Sequence, residues 1–332
     1  MANWLLTGGA GYIGSHVLRE LQASGRGVVV VDDLSTGFAE RVPAGVPLIE
    51  AKVSDRDAMS AALRDNDITG VIHLAAKKAV GESVQRPLYY YRENVEGIVS
   101  LLDAMNEVGV NNIVYSSSAA VYGEPLVGEV SETEATVPTS PYGETKLIGE
   151  WTVRGVATSR RLAGGGLSNV SLRYFNVAGA GSDELGDTSV ANLIPLALRA
   201  ITNDRPPQIF GDDYPTPDGT CIRDYIHVVD LARSHVAAAQ LCEEDAAGER
   251  SEIFNVGRGH GSSVRDVLNV VADISGRGRE PEVTARRPGD PAILVARTEK
   301  INSELGWHAE LDLTDMVASA WSAWPFVEKL RD

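Results

Sequence analysis

A tyrosine and a lysine lie four residues apart in the segment SPYGETK, residues 140–146, and this pair could transfer a proton. Ser140 suits the N-cap of a helix and Pro141 suits the first helical position. The spacing therefore predicts that Tyr142 and Lys146 project from one face of a helix. A phenol with its ordinary pKa of about 10 is a poor base, but an adjacent ammonium favours the phenolate and lowers this pKa. Such a phenol can accept the proton of an alcohol while a hydride leaves the same carbon.

A glycine-rich turn near the start of the sequence could hold a dinucleotide. The apolar segment Asn3–Thr7 predicts a strand, which leads directly into the turn Gly8–Gly14 (GGAGYIG) and then into a helical pattern. Glycines allow a tight turn, close approach of a pyrophosphate and close packing of the helix on the strand. The helix N-terminus would then face the phosphates. The position of Gly8, Gly11 and Gly14 between a strand and a helix favours a dinucleotide site over an ordinary loop.

Two aspartates end the second predicted strand. Residues 27–31 are rich in valine and predict a strand buried on both faces, and Asp32 and Asp33 follow it. A carboxylate at this distance from the glycine turn accepts hydrogen bonds from a ribose 2′-hydroxyl and repels a 2′-phosphate. The alternative is an acidic pair in a turn. With the glycine turn upstream, the aspartates favour NAD over NADP as the cofactor.

Strands and helices continue to alternate after these motifs, which predicts an α/β fold with a Rossmann-type doubly wound parallel sheet. Ligands of such sheets bind beyond the carboxyl ends of the strands. His73, within an apolar strand, is predicted to be a hydrogen-bonded core residue, and Ser116 and Ser117 are predicted to form a polar turn. Further strands are expected at residues 46–50, 70–74, 112–116 and 169–174, and helices at 55–64, 87–108 and from 141 onward.

The regular alternation breaks down after Gly179, where we expect a domain boundary. Residues 1–178 are predicted to form an NAD-binding Rossmann domain, and residues 179–332 a smaller C-terminal α/β lobe that binds the substrate. The segment 223–256 has the pattern of a helix followed by a strand. We expect this segment to return to the first domain.

Composition and charge narrow the possible partners. The 332 residues include 30 Lys and Arg against 46 Asp and Glu, a formal net charge of −16, which disfavours a nucleic acid or an anionic membrane as partner. Cys221 and Cys242 are too few for a disulfide framework or a zinc cluster, so no metal is expected. The start of the sequence does not have the pattern of a signal peptide, and no segment has the roughly 20 apolar residues of a membrane span. A reducing cytoplasm is the expected location.

Six segments together resemble the extended short-chain dehydrogenases/reductases and, within them, the family of UDP-glucose 4-epimerases, also called UDP-galactose 4-epimerases. The resemblance extends over nearly the whole chain. The segments are TGGAGYIGSH (7–16), KAVGESVQRPLYYYRENV (78–95), SSSAAVYGE (116–124), SPYGETK (140–146), LRYFNVAGA (172–180) and DGTCIRDYIHVVDLA (218–232). The first, third and fourth are typical of the superfamily, and the second and sixth indicate the 4-epimerase branch.

The resemblance implies the reversible epimerisation of UDP-galactose and UDP-glucose at carbon 4, through a 4-keto intermediate and with tightly bound NAD that ends each cycle unchanged. Tyr142 would accept the proton of the sugar 4-hydroxyl, and Ser118 would hydrogen-bond that hydroxyl. Lys146 would hold the nicotinamide ribose and lower the pKa of Tyr142. The resemblance also implies a homodimer through two helices per subunit, those that begin at Pro87 and Pro141.

The resemblance assigns further residues to both ligands. Arg223 and Arg287 would neutralise the diphosphate of the substrate, and Asp290 would contact its uridine ribose; for Arg223 the alternative is a surface ion pair with Asp224. The residues expected to contact NAD are Gly8, Gly11, Tyr12, Ile13, Gly14, Asp32, Asp33, Lys52, Val53, Leu74, Ala75, Ala76, Lys78, Asn94, Ser116, Tyr142, Lys146 and Tyr174. The residues expected to contact the UDP-sugar are Lys78, Ser118, Ala119, Tyr142, Asn176, Asn192, Leu193, Gln208, Ile209, Phe210, Arg223, Arg287, Asp290 and Leu294.

Two positions depart from the pattern of the family. Where the family usually has an acidic residue for the adenine amino group, this sequence has Lys52, which cannot accept that hydrogen bond. The backbone of Val53 is the expected substitute. Leu294 lies where enzymes restricted to UDP-glucose and UDP-galactose often have a tyrosine. A smaller side chain leaves room for an N-acetyl group, so we expect some activity on UDP-GlcNAc and UDP-GalNAc.

Other activities of the same scaffold differ in a few side chains. A 4,6-dehydratase needs an acid and a base beside the catalytic serine, whereas Ala119 and Ala120 follow Ser118 here, which disfavours that reaction. A uronate epimerase or decarboxylase remains open, because one arginine in the lobe could recognise a carboxylate. A non-catalytic NAD-sensing protein is a further alternative, although such proteins typically lack the tyrosine or the lysine.

Overall fold

Strands connected by helices form the scaffold of this computed structural model, which describes residues 2–287 and 289–331. In chain order the strands are β1 Asn3–Thr7, β2 Gly27–Asp32, β3 Leu48–Glu50, β4 Gly70–His73, β5 Asn112–Ser118, β6 Glu129–Val130, β7 Ser168–Tyr174, β8 Asn176–Ala178, β9 Gln208–Phe210, β10 Ile222–His227, β11 Ser251–Val256, β12 Gly261–Ser263, β13 Glu282–Thr284 and β14 Ile293–Ala296.

The helices connect or cover these strands. None of them, within the described residues, combines the length and apolarity that a membrane crossing requires. The helices are α1 Tyr12–Ala23, α2 Arg56–Asp65, α3 Val80–Gln85, α4 Pro87–Tyr90, α5 Gly97–Val108, α6 Pro141–Leu162, α7 Leu193–Thr202, α8 Val228–Glu243, α9 Val264–Ser275, α10 Glu299–Leu305 and α11 Leu313–Arg331.

Within the described residues, seven strands form one sheet in the order β11-β7-β5-β4-β1-β2-β3. β1 pairs in parallel with both β2 and β4, with Leu5 opposite Val29 and Val71. Runs of valine, leucine and isoleucine suit such strands, because helices cover a parallel sheet on both faces. The strand order reverses between β1 and β4, and α/β sheets bind ligands beyond the carboxyl ends at such a switch point. The predicted Rossmann-type α/β fold is confirmed.

A continuous apolar core holds this sheet against its helices. Leu5 and Val71 on the sheet are fully buried and belong to the same cluster as Ile98, Leu101 and Met105 on α5. Burying an apolar side chain of this size contributes about 1.5–3 kcal/mol relative to leaving it exposed. The loops at the carboxyl edge therefore extend from a rigid base.

The segment 87–108 is helical from end to end, as the sequence predicts, but the type of helix changes along its length. α3 precedes this segment, and Arg86 separates α3 from α4 with φ −132° and ψ 56°. The cause is Pro87, because a residue before proline is disfavoured from the α region. Between α4 and α5 the backbone widens into a π-helix at Tyr91–Glu96. Such π segments frequently occur at functional sites, and this one contains Asn94.

The chain divides into two units that each contain non-contiguous segments. The first unit comprises residues up to 121, 138–173 and 232–254. The second comprises 122–137, 174–231 and the residues from 255 onward. The first therefore contains the large sheet, and the second contains a smaller sheet with its own helices.

The second unit has a separate core and a sheet built mainly around β10. Within the described residues, its larger sheet runs β12-β10-β14-β6, with β8 added to β10. A second ladder joins β9 to β13. Leu198, Val267, Met316 and Trp324, from α7, α9 and α11, are buried in one cluster. The same cluster includes Tyr225 of β10 and Ala178 of β8, so it holds these strands in place.

Arg223 lies in a strand, and the prediction of a helix from this residue onward is wrong. Tyr225 and Ile226 are buried in β10, and the helix begins only at Val228. β8, β12 and β14 all pair with β10, so tertiary pairing decides the conformation of a segment whose pattern is ambiguous. Arg223 consequently projects from a sheet, next to Leu294 of β14.

Candidate active site

The start of α6 is built as its sequence predicts. Ser140 has extended backbone angles, φ −141° and ψ 150°, and its side-chain oxygen accepts a hydrogen bond from the amide of Gly143 at 3.2 Å. Pro141 occupies the first helical position, where its missing N–H is not needed. This cap fixes where the helix begins, and hence where Tyr142 and Lys146 lie on it.

Two glycines let α6 approach β5 closely. A β-carbon at Gly143 would lie 2.6 Å from the carbonyl oxygen of Ala120, and one at Gly149 would lie 2.0 Å from the Tyr115 hydroxyl oxygen. Between these two positions, the Lys146 Nζ donates a hydrogen bond to the backbone carbonyl of Ser116 at 2.7 Å. The helix face that carries these two glycines therefore lies close to β5, and Lys146 on it contacts the end of that strand.

Tyr142 and Ser118 are hydrogen-bonded partners in this arrangement. Both side chains are buried, and the hydrogen bond to Ser118 favours the phenolate of Tyr142. Burial has the larger effect, and the pKa of Tyr142 is raised above its ordinary value. The lowering that the sequence predicts through Lys146 is therefore not produced by the protein groups alone.

Lys146 is a buried ammonium. Burial lowers its pKa to about 8, and the negative charge of Glu150 acts in the opposite direction. An ammonium has three N–H donors, and no described residue other than Ser116 accepts a hydrogen bond from this one. Its Nζ also lies 5.3 Å from the centre of the Tyr115 ring. The remaining donors are suited to a ligand hydroxyl.

Replacing Lys146 with methionine should stabilise the ligand-free protein at pH 7. The pKa of Lys146 falls from 10.5 to about 8 on folding, which at about 1.4 kcal/mol per pKa unit is a penalty of roughly 3 kcal/mol for burying the charge. Methionine avoids this penalty but loses the hydrogen bond to Ser116, which costs about 1 kcal/mol. The unfolded chain binds more protons between these two pKa values, so the wild type gains stability as pH rises from 8 to 10.5. Urea unfolding of both proteins should show an advantage for Lys146→Met at pH 7 that disappears by pH 10.5. The prediction is wrong if the difference in stability between Lys146→Met and the wild type favours the variant more at pH 10.5 than at pH 7.

Ser116 and Ser117 do not form the polar turn that the sequence predicts. Both lie in β5 and are fully buried. The hydroxyl of Ser116 is hydrogen-bonded to His235 Nε2 at 2.8 Å, and that of Ser117 donates to Glu150 Oε1 at 2.5 Å. Serines are tolerated in this buried strand because each hydroxyl has a partner. As a result, the side chain of Ser116 is engaged inside the protein, and only its backbone carbonyl faces Lys146.

His73 is a hydrogen-bonded core histidine, as predicted. Its Nδ1 lies 2.7 Å from the hydroxyl oxygen of Thr7, and its ring stacks on Tyr115 at 5.9 Å between centres. Burial lowers its pKa to about 3, with a smaller contribution from the charge of Lys146. His73 is therefore neutral at physiological pH and does not compete with Tyr142 for protons.

The glycine turn has the shape of an anion site. Gly8 has a φ of +75°, and a β-carbon at Gly14 would lie only 2.0 Å from the carbonyl oxygen of Gly8. α1 then begins at Tyr12, with Gly11 at the N-cap and no side chain capping its first amides. The first turn contains no acidic residue either. The positive end of the α1 dipole is thus available to a phosphate group.

Asp32 and Asp33 organise the loop at the end of β2. The Asp32 carboxylate accepts hydrogen bonds from the amides of Ala10 at 3.0 Å and Leu34 at 2.9 Å, and burial raises its pKa. Asp33 accepts from both the amide and the hydroxyl of Ser35. Each carboxylate oxygen can accept a second hydrogen bond. These carboxylate acceptors fit the hydroxyls of the ribose of NAD, and the amides of the turn beside them fit its pyrophosphate.

Two of the predicted NAD residues are engaged with protein groups. Asn94 accepts from the amide of Lys77 at 2.8 Å and donates to the Lys77 carbonyl and to Thr145, so it braces the loop after β4. Lys52 forms an ion pair with Glu93 at 3.3 Å. Sequence reasoning missed Lys77, whose Nζ donates to Ser35 at 2.6 Å. The only sequence signal for Lys77 was its position in the segment after β4.

The remaining predicted residues of the first unit differ in exposure. Leu74, Ala75, Ala76 and Ile13 are half-buried, Lys78 is exposed with its Nζ 5.9 Å from the Tyr12 ring, and Val53 and Ala119 are buried. Val53 belongs to the apolar core, so only its backbone could serve a ligand. Of the predicted residues of the first unit, Ser118, Tyr142 and Lys146 are the ones that the structure brings together at the end of β5.

In the second unit, Arg223 pairs with Asp290 rather than with Asp224. The two side chains approach to 3.3 Å. Asp224 is fully buried and accepts hydrogen bonds from the amides of Arg258, Gly259 and Ala296, and burial raises its pKa to about 6. The alternative of a surface ion pair between Arg223 and Asp224 is therefore wrong.

The other predicted substrate residues of the same unit differ in exposure. The guanidinium of Arg287 stacks on Phe210 at 3.8 Å, whereas Ile209 is fully buried and could offer only its backbone. Tyr225 was missed: it hydrogen-bonds Asn176, and burial raises its pKa to about 12. It lies two residues after Arg223 in β10, so alternation in a strand would have indicated it. Tyr174, Leu193 and Leu294 are half-buried, and Asn176, Asn192 and Gln208 are exposed.

The chain is similar to a well-populated group of proteins. A sequence model of the NAD dependent epimerase/dehydratase family matches residues 4–257. The UDP-glucose 4-epimerase of Corynebacterium glutamicum is 45% identical over 330 residues, which cover 99% of this chain and 96% of that protein.

Solved structures are similar over comparable lengths. The UDP-glucose 4-epimerase of Stenotrophomonas maltophila, with bound NAD and formylated UDP-arabinopyranose, superimposes with a TM-score of 0.93 at 39% identity and covers 99% of this chain and 100% of its own. The UDP-Glc/GlcNAc 4-epimerase of Campylobacter jejuni has a TM-score of 0.85 at 35% identity, and the match covers 99% of this chain and 100% of that one.

Proposed function

Because this chain belongs to the NAD dependent epimerase/dehydratase family, we propose that it interconverts UDP-glucose and UDP-galactose at carbon 4, with NAD as its cofactor. The observation that carries this proposal is the buried group of Ser118, Tyr142 and Lys146 at the carboxyl end of β5. It lies in the same unit as the glycine turn and Asp32. An acid–base group and a dinucleotide site in one unit suit an NAD-dependent isomerase.

The three side chains have separate tasks in this reaction. Tyr142 accepts the proton of the sugar 4-hydroxyl and returns a proton when the 4-keto intermediate is reduced. Ser118, which hydrogen-bonds Tyr142, holds the hydroxyl during that transfer. NAD, when bound, supplies a hydride acceptor and a positive charge. Lys146 adds a second positive charge, and together they oppose the effect of burial on Tyr142.

The cofactor would be held by groups whose donors and acceptors are already oriented. The amides at the start of α1 and the turn Gly8–Gly14 suit the pyrophosphate. Asp32 and Asp33 suit the adenosine ribose, and the remaining donors of Lys146 suit the nicotinamide ribose. These assignments also exclude a 2′-phosphate beside two carboxylates, which favours NAD over NADP.

Adenine would be held differently from the family pattern. Lys52 is exposed and paired with Glu93, so it offers no acceptor for the adenine amino group. The side chain of Val53 is in the core, and its backbone groups lie beside Lys52. We assign adenine recognition to that backbone.

The second unit would bind the nucleotide-sugar, and the first unit NAD. Arg223 and Arg287 supply the positive charge that a diphosphate needs in a protein with a net charge of −16. Asp290, paired with Arg223, suits the uridine ribose. The strand Gln208–Phe210 suits the edge of uracil. Asn176, Asn192 and Leu193 would contact the sugar and its phosphates.

The decisive experiment is a single assay. Purified protein incubated with UDP-galactose should produce UDP-glucose without added cofactor, and denaturation should release NAD. Turnover of a UDP-uronate instead would favour a uronate epimerase or decarboxylase. Bound NAD without turnover of any UDP-sugar would favour a non-catalytic NAD-sensing protein.

UDP-GalNAc should also be a substrate, with kcat/KM below that of UDP-galactose. Leu294 is half-buried beside Arg223 on the neighbouring strand, and leucine is smaller than the tyrosine of restricted enzymes. Leu294→Tyr should remove at least about 10-fold of the UDP-GalNAc activity and leave turnover of UDP-galactose within a factor of a few, because one badly filled pocket position changes discrimination by about 1–3 kcal/mol. Initial rates with both substrates provide the measurement. Absence of wild-type activity on UDP-GalNAc would end this idea.

We propose that the protein is a homodimer. Val84 on α3, Leu88 on α4 and Trp151 on α6 expose 61%, 69% and 52% of their surfaces, and all three lie on helices of the first unit. Isolated exposed apolar residues are ordinary, but a large tryptophan among leucine and valine suits a buried subunit contact.

The cytoplasm suits this protein because its two cysteines are buried and free.

Trp151→Glu should convert the dimer into a monomer. A charge placed in the centre of an apolar contact would be buried without a partner. Sedimentation velocity at micromolar concentration measures the result, and Leu126→Glu, at a fully exposed leucine of the second unit, is the matched control. An unchanged sedimentation coefficient for Trp151→Glu would place the contact elsewhere.

A further inference from the structure

A buried ion pair connects α6, the helix that carries Tyr142, to β7. Arg173 on β7 donates to Glu150 on α6 through two bonds, Nε to Oε1 at 2.8 Å and Nη2 to Oε2 at 2.7 Å. The side chains expose only 4% each. Burying such a pair costs desolvation energy that an apolar pair would avoid, so stability alone does not account for it.

Three consecutive serines of β5 hold three residues of α6. The carbonyl of Ser116 accepts from Lys146, the hydroxyl of Ser117 donates to Glu150, and the hydroxyl of Ser118 hydrogen-bonds Tyr142. The helix residues are spaced by four and lie on one face. Glu150 is thus the third attachment of the same face that carries the proposed acid–base residues, and it has no role yet in the reaction.

Glu150 is the carboxylate in the surroundings of Lys146. Its charge favours the ammonium, whereas burial disfavours it. His73 is neutral, and Arg173 is already paired with Glu150. The groups that interact with Lys146 are Glu150 on α6, Tyr115 and the Ser116 carbonyl on β5, and His73 on β4. His235 on α8 and Arg173 on β7 are one hydrogen bond further away.

We propose that Glu150, oriented by Arg173 and Ser117, is a positioning residue that keeps Lys146 charged and holds the Tyr142 face of α6 on the strand. The ion pair fixes the carboxylate on the strand side of the helix, so its charge stays near Lys146 without a direct bond to it. The inference rests on the proposed function, because it assigns Glu150 a role in that reaction. It predicts that loss of the carboxylate changes a pH dependence as well as stability.

The first test compares the pH dependence of kcat for the wild type and Glu150→Gln with UDP-galactose. The alkaline limb, where Lys146 loses its proton, should move to lower pH by about one unit, the lower end of what one nearby opposite charge produces. The fraction of NAD retained through a desalting column should fall at correspondingly lower pH, a readout that does not depend on turnover. A wild type without turnover would defeat the proposed function, whereas an active wild type and an unmoved limb in Glu150→Gln would defeat this inference.

Two further variants separate positioning from stability. Glu150→Met combined with Arg173→Met replaces the pair with apolar side chains of similar volume, which often preserves folding, and its limb should move as in Glu150→Gln. Val153→Ala, in the core seven residues after Lys146, should lower Tm and leave both the limb and NAD retention at their wild-type pH. If Val153→Ala moves the limb as far, or if the double variant leaves it in place, Glu150 and Arg173 are only structural.

Discussion

Tyr142→Phe lowers kcat by about 10²–10⁴-fold, the contribution of one positioned acid–base group, and leaves NAD bound. Phenylalanine fills the same buried space but has no hydroxyl to exchange a proton with the sugar or to hydrogen-bond Ser118. The Lys146 ammonium keeps its bond to the Ser116 carbonyl, so the cofactor contacts assigned to it are unchanged. Initial rates with UDP-galactose, together with the NAD released on denaturation, measure both halves of this expectation.

Tyr90→Phe is the matched control for that experiment. Tyr90 is also fully buried in the first unit, and its hydroxyl interacts with Glu82 and the amide of Ala79. Its loss removes ordinary hydrogen bonds worth about 1 kcal/mol each and should leave kcat within a factor of a few. Equal losses of kcat in the two variants, or loss of NAD from Tyr142→Phe, would remove Tyr142 from its proposed role.

Gly14→Ala abolishes NAD retention and lowers the free energy of unfolding by about 3 kcal/mol or more. The added β-carbon would lie 2.0 Å from the carbonyl oxygen of Gly8, and both groups belong to the backbone of one turn. The turn must therefore open, which moves the first amides of α1 away from the position where they suit a pyrophosphate. Absorbance of released NAD and urea unfolding measure the two effects.

A second glycine in the first unit tests whether any added β-carbon would cause the loss of NAD and of stability that we expect for Gly14→Ala. At Gly97, on α5, a β-carbon would meet only Val53, at 3.9 Å, which is an ordinary contact. Gly97→Ala should therefore keep NAD and stabilise the protein by up to about 1 kcal/mol, the difference between glycine and alanine in a helix. A Gly14→Ala variant that keeps its NAD and its stability would show that the turn tolerates a side chain.

The parts of the site that follow from local rules could be predicted from the sequence. The cap at Ser140, the proline after it and the spacing of Tyr142 and Lys146 depend only on neighbouring residues. The glycine turn is equally local, because strand, turn and helix follow each other within a few residues. His73 could be assigned to the core because an apolar strand surrounds it.

The parts that depend on distant partners could not be predicted. Ser117 has the local pattern of a turn residue, and only the position of Glu150, 33 residues further along the chain, shows why its hydroxyl is buried in a strand. Arg223 lies in a strand because three other strands pair with its segment, and the sequence around it permits a helix equally well. In each case, tertiary contacts override a local preference.

The interleaved order of the two units has a consequence for synthesis on the ribosome. Residues 232–254, which supply most of β11 and most of α8 to the first unit, are translated long after its other strands. Until they emerge, β7 has an unpaired edge and Ser116 lacks its partner His235. A nascent chain that ends at residue 178 is therefore an incomplete sheet rather than a finished domain, and its open edge is a place where chaperones or other nascent chains can bind.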